Sequence, residues 1–362
     1  MSLFSIAKQR LTTSISSIKW LAWLLLISCS APKTEQQPTD TSLKYAKTFE
    51  IEGQTIRVKP LAAAPDKVYQ LPENPQRIIC TSTTHLHNLE LLGLEEKLIG
   101  FANTNYIYSE LFRSRAQQGL LSDVGSEQSM NLELIIGLQP DLVIAFDLTG
   151  TSDILQRIEN AGIPVILNTD FLESTALGKA EWIKFFGALF DRRQMADSIF
   201  NEIERQYLSL RQLAAEATEE PVVLSGNVYG DTWFMPGGQN NFAQYFQDAG
   251  ARYAYAQDSS SSWLELSFES VFHESRDADY WIGMGSFSSL DEIRAQDARY
   301  EDFQAFQKGQ VFNYNRRQIP NGGNDFFESA YSRPDLVLAD LIYILHPELL
   351  PDHELYYYRK LE

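Results

Sequence analysis

The 362-residue chain sets 30 basic side chains against 48 acidic ones, a formal charge of −18, and is 44% hydrophobic. The acidic excess argues against nucleic acid as a partner and against adsorption along an anionic lipid surface, both of which need clustered Lys and Arg. Two cysteines rule out a disulfide scaffold, while the length allows two lobes of ordinary domain size.

The chain opens with Lys8, Arg10 and Lys19, followed by the apolar run WLAWLLLI over 20–27. That is the charge-then-apolar order of a secretory signal, and the run is far short of the roughly 20 residues that span a bilayer. It ends in Leu26, Ile27, Ser28 and Cys29, which resembles the lipobox of bacterial lipoproteins, where a Cys is acylated and becomes the new N-terminus. Residues 1–28 are therefore expected to form a signal peptide. Cys29 is expected to carry the lipid, leaving the rest in the cell envelope, periplasm-facing or at the outer surface. The alternative is an uncleaved anchor with an incidental Cys. Residues 30–42 are polar without a hydrophobic period, so 29–46 reads as a lipidated flexible tether. Cys80 is then a lone thiol, expected as a small buried residue at a strand end.

The pattern over 49–58 alternates around Gly53 and predicts a hairpin. Apolar strands are predicted over 77–81, 97–102, 141–146 and 163–167. Helices over 87–94, 131–138 and 152–161 alternate with them, closed by Gly93, Pro140 and Gly162. From 174 to 216 only a helical pattern remains, with Trp182, Phe185, Phe186 and Phe190 as a stripe that reads as core; Gly187 and the DRR patch over 191–193 are where it could break. Alternation then resumes, with strands over 222–225, 280–283 and 310–312 and helices over 242–249, 267–273 and 334–345. The fold class is α/β: a lobe over 47–172, a linker helix over 173–218 and a second lobe over 219–362, each with a parallel central sheet covered on both faces.

No Gly-x-Ser-x-Gly elbow, HExxH or P-loop is present, and Gly283-Met284-Gly285 is too short for a dinucleotide reading. Asn321, Gly322, Gly323 and Asn324 are turn chemistry. His85 and His87 follow the first strand, where sites in open α/β sheets gather. On a helix, however, their rings diverge by about 200°, and nothing in the spacing of Asp147, Asp170 or His273 demands a metal site. Aromatic and Arg side chains at predicted strand ends are the better lead. With Thr83 and His85 at the first strand, Tyr106, Phe146, Tyr229, Trp233, Arg316 and Arg317 are the candidate ligand contacts; Tyr108, Phe234, Phe326, Phe327 and Tyr331 lie nearby. Aromatic walls with guanidinium groups suit a large, flat, partly anionic ligand.

These residues sit in a sequence that resembles the solute-binding proteins of ABC importers for iron–siderophore, haem and vitamin B12. NPQRIICTS over 74–82 is similar to the family's P-x-R-I-V-S-L-S strand, and LLGLEEKLIG over 91–100 to its A-L-G-L-x-D-R-L-V-G. Val124 and Gly125 with NLELIIGLQPDLVIA over 131–145 follow its V-G…N-L-E-x-I-x-A-L-x-P-D-L-V-I. AGIPV over 161–165, GGQNNF over 237–242, LSFESV over 266–271 and FQKGQVF over 306–312 fit the remaining blocks. The resemblance implies two Rossmann-like lobes joined by a single long linker helix, the class III periplasmic-binding-protein type, with the solute held between them. It implies a monomeric receptor, not an enzyme, for a ferric–siderophore-type chelate. No cofactor is implied, iron entering only as part of the chelate. Cobalamin or haem is the alternative cargo, and a divalent-metal receptor the alternative class. The resemblance also implies docking to an ABC permease through one acidic residue on each lobe. Here those positions align with His87, with Glu90 one turn on, and with Gln247, beside Asp248, so the pattern departs from the family's.

Overall fold

A computed structural model describes residues 43–61, 65–127, 129–147, 152–320 and 322–362; the signal segment, Cys29 and residues 30–42 of the tether lie outside the described residues. After a short lead-in, β1 (Phe49–Glu52) and β2 (Thr55–Val58) pair antiparallel around Gly53, and β3 (Lys67–Gln70) extends the sheet.

The first lobe runs β4 (Ile78–Cys80), α1 (Thr84–Leu91), β5 (Leu98–Phe101), α2 (Glu110–Gln117), β6 (Ser122–Asp123), a hairpin of β7 (Gly125–Ser126) and β8 (Ser129–Met130), α3 (Leu132–Leu138), β9 (Leu142–Ala145), α4 (Asp153–Asn160) and β10 (Val165–Leu167). Its sheet is parallel in the order β10-β9-β4-β5-β6. Every residue of β4, β9 and β10 is buried, which is why these strands read as unbroken apolar runs. Cys80 is buried in β4, and burial pushes its thiol up. Asn131 caps α3, its Oδ1 accepting from Leu134 N at 3.0 Å. Helix α1 begins at Thr84 rather than 87, because His85 packs inward with Leu86 and Leu89; read as polar, it conceals the first turn.

The expected single helix over 173–218 is three helices: α5 (Ala176–Ala180), α6 (Ile183–Leu189) and α7 (Arg193–Ala214). Asp191 at φ 54° turns the chain between the last two. There α6 and α7 approach so closely that a Cβ on Gly187 would lie 2.5 Å from Ala196 Cβ. Trp182, Phe185, Phe186 and Phe190 are buried in the first lobe's core. The 22-residue α7 bridges the lobes, with Phe200 and Ile203 in the first core and Tyr207 and Ala214 in the second, and α5 reaches both as well, with Ala180 in the first and Ala176 and Leu177 in the second. Two buried carboxylates pin the entering chain to this linker. Glu181 accepts from Lys44 N, Tyr45 N and Ala46 N at 3.0, 2.8 and 2.9 Å, and Glu173 accepts from Lys47 N and Thr48 N at 2.9 and 2.8 Å.

In the second lobe, β11 (Val222–Ser225) is followed by β12 (Asn227–Tyr229), β13 (Thr232–Pro236), α8 (Asn241–Asp248), β14 (Arg252–Tyr253), β15 (Trp263–Leu266), α9 (Phe268–Ser275) and β16 (Tyr280–Ile282). Then come α10 (Leu290–Gln296), α11 (Gln304–Gln307), β17 (Val311–Asn313), α12 (Asp325–Ser329), α13 (Pro334–Leu345) and β18 (Arg359–Lys360). The main sheet is β14-β11-β16-β17-β18, with only β18 antiparallel to its neighbour. A second sheet, β12-β13-β15, is antiparallel. Residues from Leu43 onward belong to one compact unit.

Candidate ligand-binding site

The carboxyl ends of β4, β5 and β9 face those of β16 and β17 across one cavity of about 750 Å³, where ligands gather in open α/β sheets. Thr81, Ser82 and Thr83 line it after β4, Phe101 and Asn103 at β5, Phe146 after β9, and Tyr106 on the following turn. Gly285, Ser286, Tyr314, Gln318, Asn324 and Phe327 come from the second lobe. Tyr106 and Phe327 are 61% and 52% exposed, which leaves their ring faces open at the rim. Tyr314 is held by Phe326, stacked at 4.5 Å between centroids, and by Phe327 edge-on at 5.5 Å.

The two lobes touch directly beside this cavity. Thr83 Oγ1 donates to the Phe327 carbonyl at 2.9 Å. Tyr108 N and Ser109 N donate to Glu328 at 2.6 and 3.0 Å, so a carboxylate of the second lobe caps the start of α2 in the first. A Cβ on Gly323 would lie 2.5 Å from Tyr106 O, Ile107 C and Tyr108 N. At the back, Lys179 Nζ donates to the carbonyls of Asp170 and Phe171 at 3.2 and 3.1 Å and sits 4.1 Å from the ring centroid of Tyr331.

Burial pushes the Glu328 carboxyl up to about 7, more than its two backbone donors pull it down. A carboxyl raised in the folded state contributes stability that is fully present below its unfolded value near 4.5 and is lost as pH rises through about 7. Wild type is therefore expected to lose on the order of 2–3 kcal/mol between pH 5 and 8 through this group. Glu328→Gln should flatten that part of the profile in urea unfolding at stepped pH. An unchanged profile would show that Glu328 is ionised throughout.

Of the candidate contacts, the structure places Thr83, Tyr106 and Phe146 in the cavity wall. Trp233 is corrected: it is fully buried on β13, stacked on Trp281 at 5.4 Å with Nε1 donating to Ser225 O at 3.1 Å. Such burial stabilises the core by about 2–3 kcal/mol and leaves no face for a ligand. His85 is corrected likewise. It is fully buried against Phe186, and burial pushes its imidazole down to about 3, so it is a neutral core residue. Tyr229 is 79% exposed on β12 and outside the cavity wall. Arg316 is exposed and also outside it. Arg317 turns into a neighbouring cavity of about 300 Å³. There Asp325 accepts from its Nε at 2.6 Å and the Tyr108 and Tyr356 rings flank it. The strand-end rule located the loops after β4, β5, β9 and β17 but not the segment after β11, and a strand end does not say toward which side a residue turns.

Among the expected docking residues, His87 on α1 is half-buried beside the second lobe's Asp325 and Glu328, where burial pushes it down to about 4. Glu90 is exposed and accepts from Ser109 Oγ at 3.2 Å. Gln247 is exposed on α8, and Asp248 accepts from Tyr207 OH at 2.6 Å, tying α8 to the linker. Tyr314 and Glu127 were missed. Tyr314 follows a predicted strand and was within reach of the same rule. Glu127 lies in the β7–β8 turn, which has no hydrophobic period. No group of three His, Cys, Asp or Glu side chains among the described residues is placed to hold a metal ion.

Residues 78–317 match the family model described as periplasmic binding protein. The chain is 22% identical over 294 residues to the lipoprotein MJ0878 of Methanocaldococcus jannaschii, covering 78% of this chain and 68% of the relative. It is 27% identical over 183 residues to the vitamin B12-binding protein of Vibrio campbellii, covering 47% and 62%. Among solved structures, the periplasmic heme-binding protein RhuT from Roseiflexus sp. RS-1 shares the fold at a TM-score of 0.61 and 19% identity, over 76% of this chain and 99% of that one. No helix among the described residues is long and apolar enough to cross a membrane.

Proposed function

The chain belongs to the periplasmic binding protein family, and from that membership we propose that it is an extracytoplasmic receptor that holds a metal chelate between its lobes and delivers it to an ABC permease. Members of this family bind solutes and do not transform them. The chelate is of the siderophore, haem or corrinoid kind, and iron enters only within it, with no cofactor of the protein's own. A lipid on Cys29 keeps a monomeric receptor within reach of the permease; the lipoprotein relative supports that anchor.

The observation that carries the reading is the cavity itself. Its volume of about 750 Å³ suits a ligand larger than an amino acid or a bare ion, and aromatic side chains of both lobes stand at its edge. Capture is binding alone. One continuous helix and direct lobe contacts allow only a small closure, unlike a receptor with a flexible hinge.

Purified protein lacking residues 1–28 is expected to bind at least one of haemin, cyanocobalamin or a ferric trihydroxamate, read by intrinsic fluorescence quenching and, for haemin, a Soret shift. Replacing Tyr106 and Phe327 together by Ala should weaken that ligand roughly tenfold or more, about 1.5–2 kcal/mol of lost ring contact. Unchanged affinity would move the site away from this rim, and binding of none of the three would remove the reading.

A further inference from the structure

The cavity has a charge balance of its own. Among the described residues lining it, Glu127 is the one charged side chain, and no Lys, Arg or His reaches it. The internal positions outside the described set, 62–64, 128, 148–151 and 321, hold only uncharged residues and do not alter that inventory. Three neighbouring cations are committed elsewhere, and Arg316, two residues from Tyr314 and Gln318, is exposed outside the wall. Arg317 is held by Asp325 at 2.6 Å, Arg113 Nε donates to the Tyr108 carbonyl at 3.0 Å, and Lys179 is buried on two backbone carbonyls. The chain as a whole adds a field of the same sign, at −18.

The hairpin that carries Glu127 is tied to the first lobe. Glu127 sits in the turn between β7 and β8, whose Ser126 and Ser129 hydroxyls bond each other at 2.7 Å. Asp123 Oδ1 accepts from Gly125 N at 2.8 Å and ties that hairpin to β6. At Gly125 the backbone has φ 94°, and a Cβ would come within 2.7 Å of Ser129 O, so β7 and β8 approach too closely there for a side chain. Glu127 is half-buried, and burial pushes its carboxyl above the ordinary range. A carboxylate in that setting gains from an opposite charge brought by the ligand and resists a like one.

We propose that Glu127 makes the cavity select by charge, accepting neutral or cationic metal chelates and rejecting those that carry free carboxylates or an anionic metal centre. The inference rests on the receptor reading above and narrows it. Neutral amide groups of the wall, such as Asn103 and Gln318, supply hydrogen bonds to a ligand without demanding charge from it.

The test uses one ferric trihydroxamate scaffold with a terminal ammonium, its acetylated neutral form and its succinylated anionic form, with cyanocobalamin and haemin as neutral and dicarboxylate probes of other shape. Dissociation constants are measured by calorimetry for wild type, Glu127→Gln and Glu127→Lys at one ionic strength, with melting temperatures as the check on folding. Wild type is expected to bind the ammonium form at least tenfold more tightly than the succinylated one and cyanocobalamin more tightly than haemin. Glu127→Gln should compress the trihydroxamate span to about threefold, and Glu127→Lys should invert it. If the scaffold does not bind, the same order is read from the cyanocobalamin-to-haemin ratio across the three proteins. Chelates that bind with no charge order, or an order that Glu127→Lys leaves in place, would overturn the charge proposal while the receptor stands. Failure of every probe to bind wild type would instead sink the receptor reading, and this proposal with it.

Discussion

Gly323→Ala is expected to cost ligand affinity roughly a hundredfold while each lobe stays folded. The added Cβ would sit 2.5 Å from Tyr106 O, Ile107 C and Tyr108 N, three backbone atoms of the opposite lobe. Backbone cannot swing aside as a side chain can, so the lobes must separate, and overpacking of this kind costs about 3 kcal/mol. This seat holds the lobes together beside the Glu328 cap and the Thr83–Phe327 bond, so that Tyr106 and Phe327 line the same cavity. Gly322→Ala is the control, since its Cβ would meet nothing nearer than 3.4 Å. Calorimetry with whichever chelate binds wild type, paired with thermal unfolding, separates the two variants. Wild-type affinity in Gly323→Ala would mean that the bound state does not use this seat.

Glu181→Ala should lose about 3–5 kcal/mol of stability, the range for removing one partner of a buried ion pair. Glu181 is fully buried. It accepts from three consecutive backbone N–H groups of the entering chain, at Lys44, Tyr45 and Ala46, and pairs with Lys184 Nζ at 3.0 Å. Its loss leaves those donors unpaired, Ala46 N in a buried setting, and leaves Lys184 with the longer contact to Asp197 at 3.6 Å and the Phe200 ring. The urea midpoint should fall sharply, with chelate affinity of the native fraction unchanged, because Glu181 is outside the cavity wall. A loss under about 1 kcal/mol would show that Asp197 and water take over its work.

The linker shows where local pattern stops. Its helical period, its aromatic stripe and the break at the DRR patch over 191–193 were legible, yet the break near 181 was not, and that Asp191 makes a full turn depends on how α6 folds back on α7 through Gly187. The candidate contacts divide in the same way. Phe146 and Tyr106 were legible as strand-end aromatics, whereas Trp233, in an equivalent position by pattern, turns inward to stack on Trp281. Arg317 was read as a ligand contact, but Asp325 eight residues later claims it.

By itself the sequence determined the central parallel strands, the main helices between them and the two-lobed α/β class, because buried parallel strands and amphipathic helices each leave a short-range period in the chain; the family resemblance was carried by motif blocks such as NPQRIICTS and FQKGQVF. Only the tertiary structure decided which side chains share the cavity, that Glu127 is the one charged wall residue among those described, and that the lobes are clasped by Thr83 with Phe327 and by Glu328 with Tyr108 and Ser109. Those contacts join residues more than 200 positions apart, and no local period encodes a pairing that depends on how two separately folded sheets come to face each other.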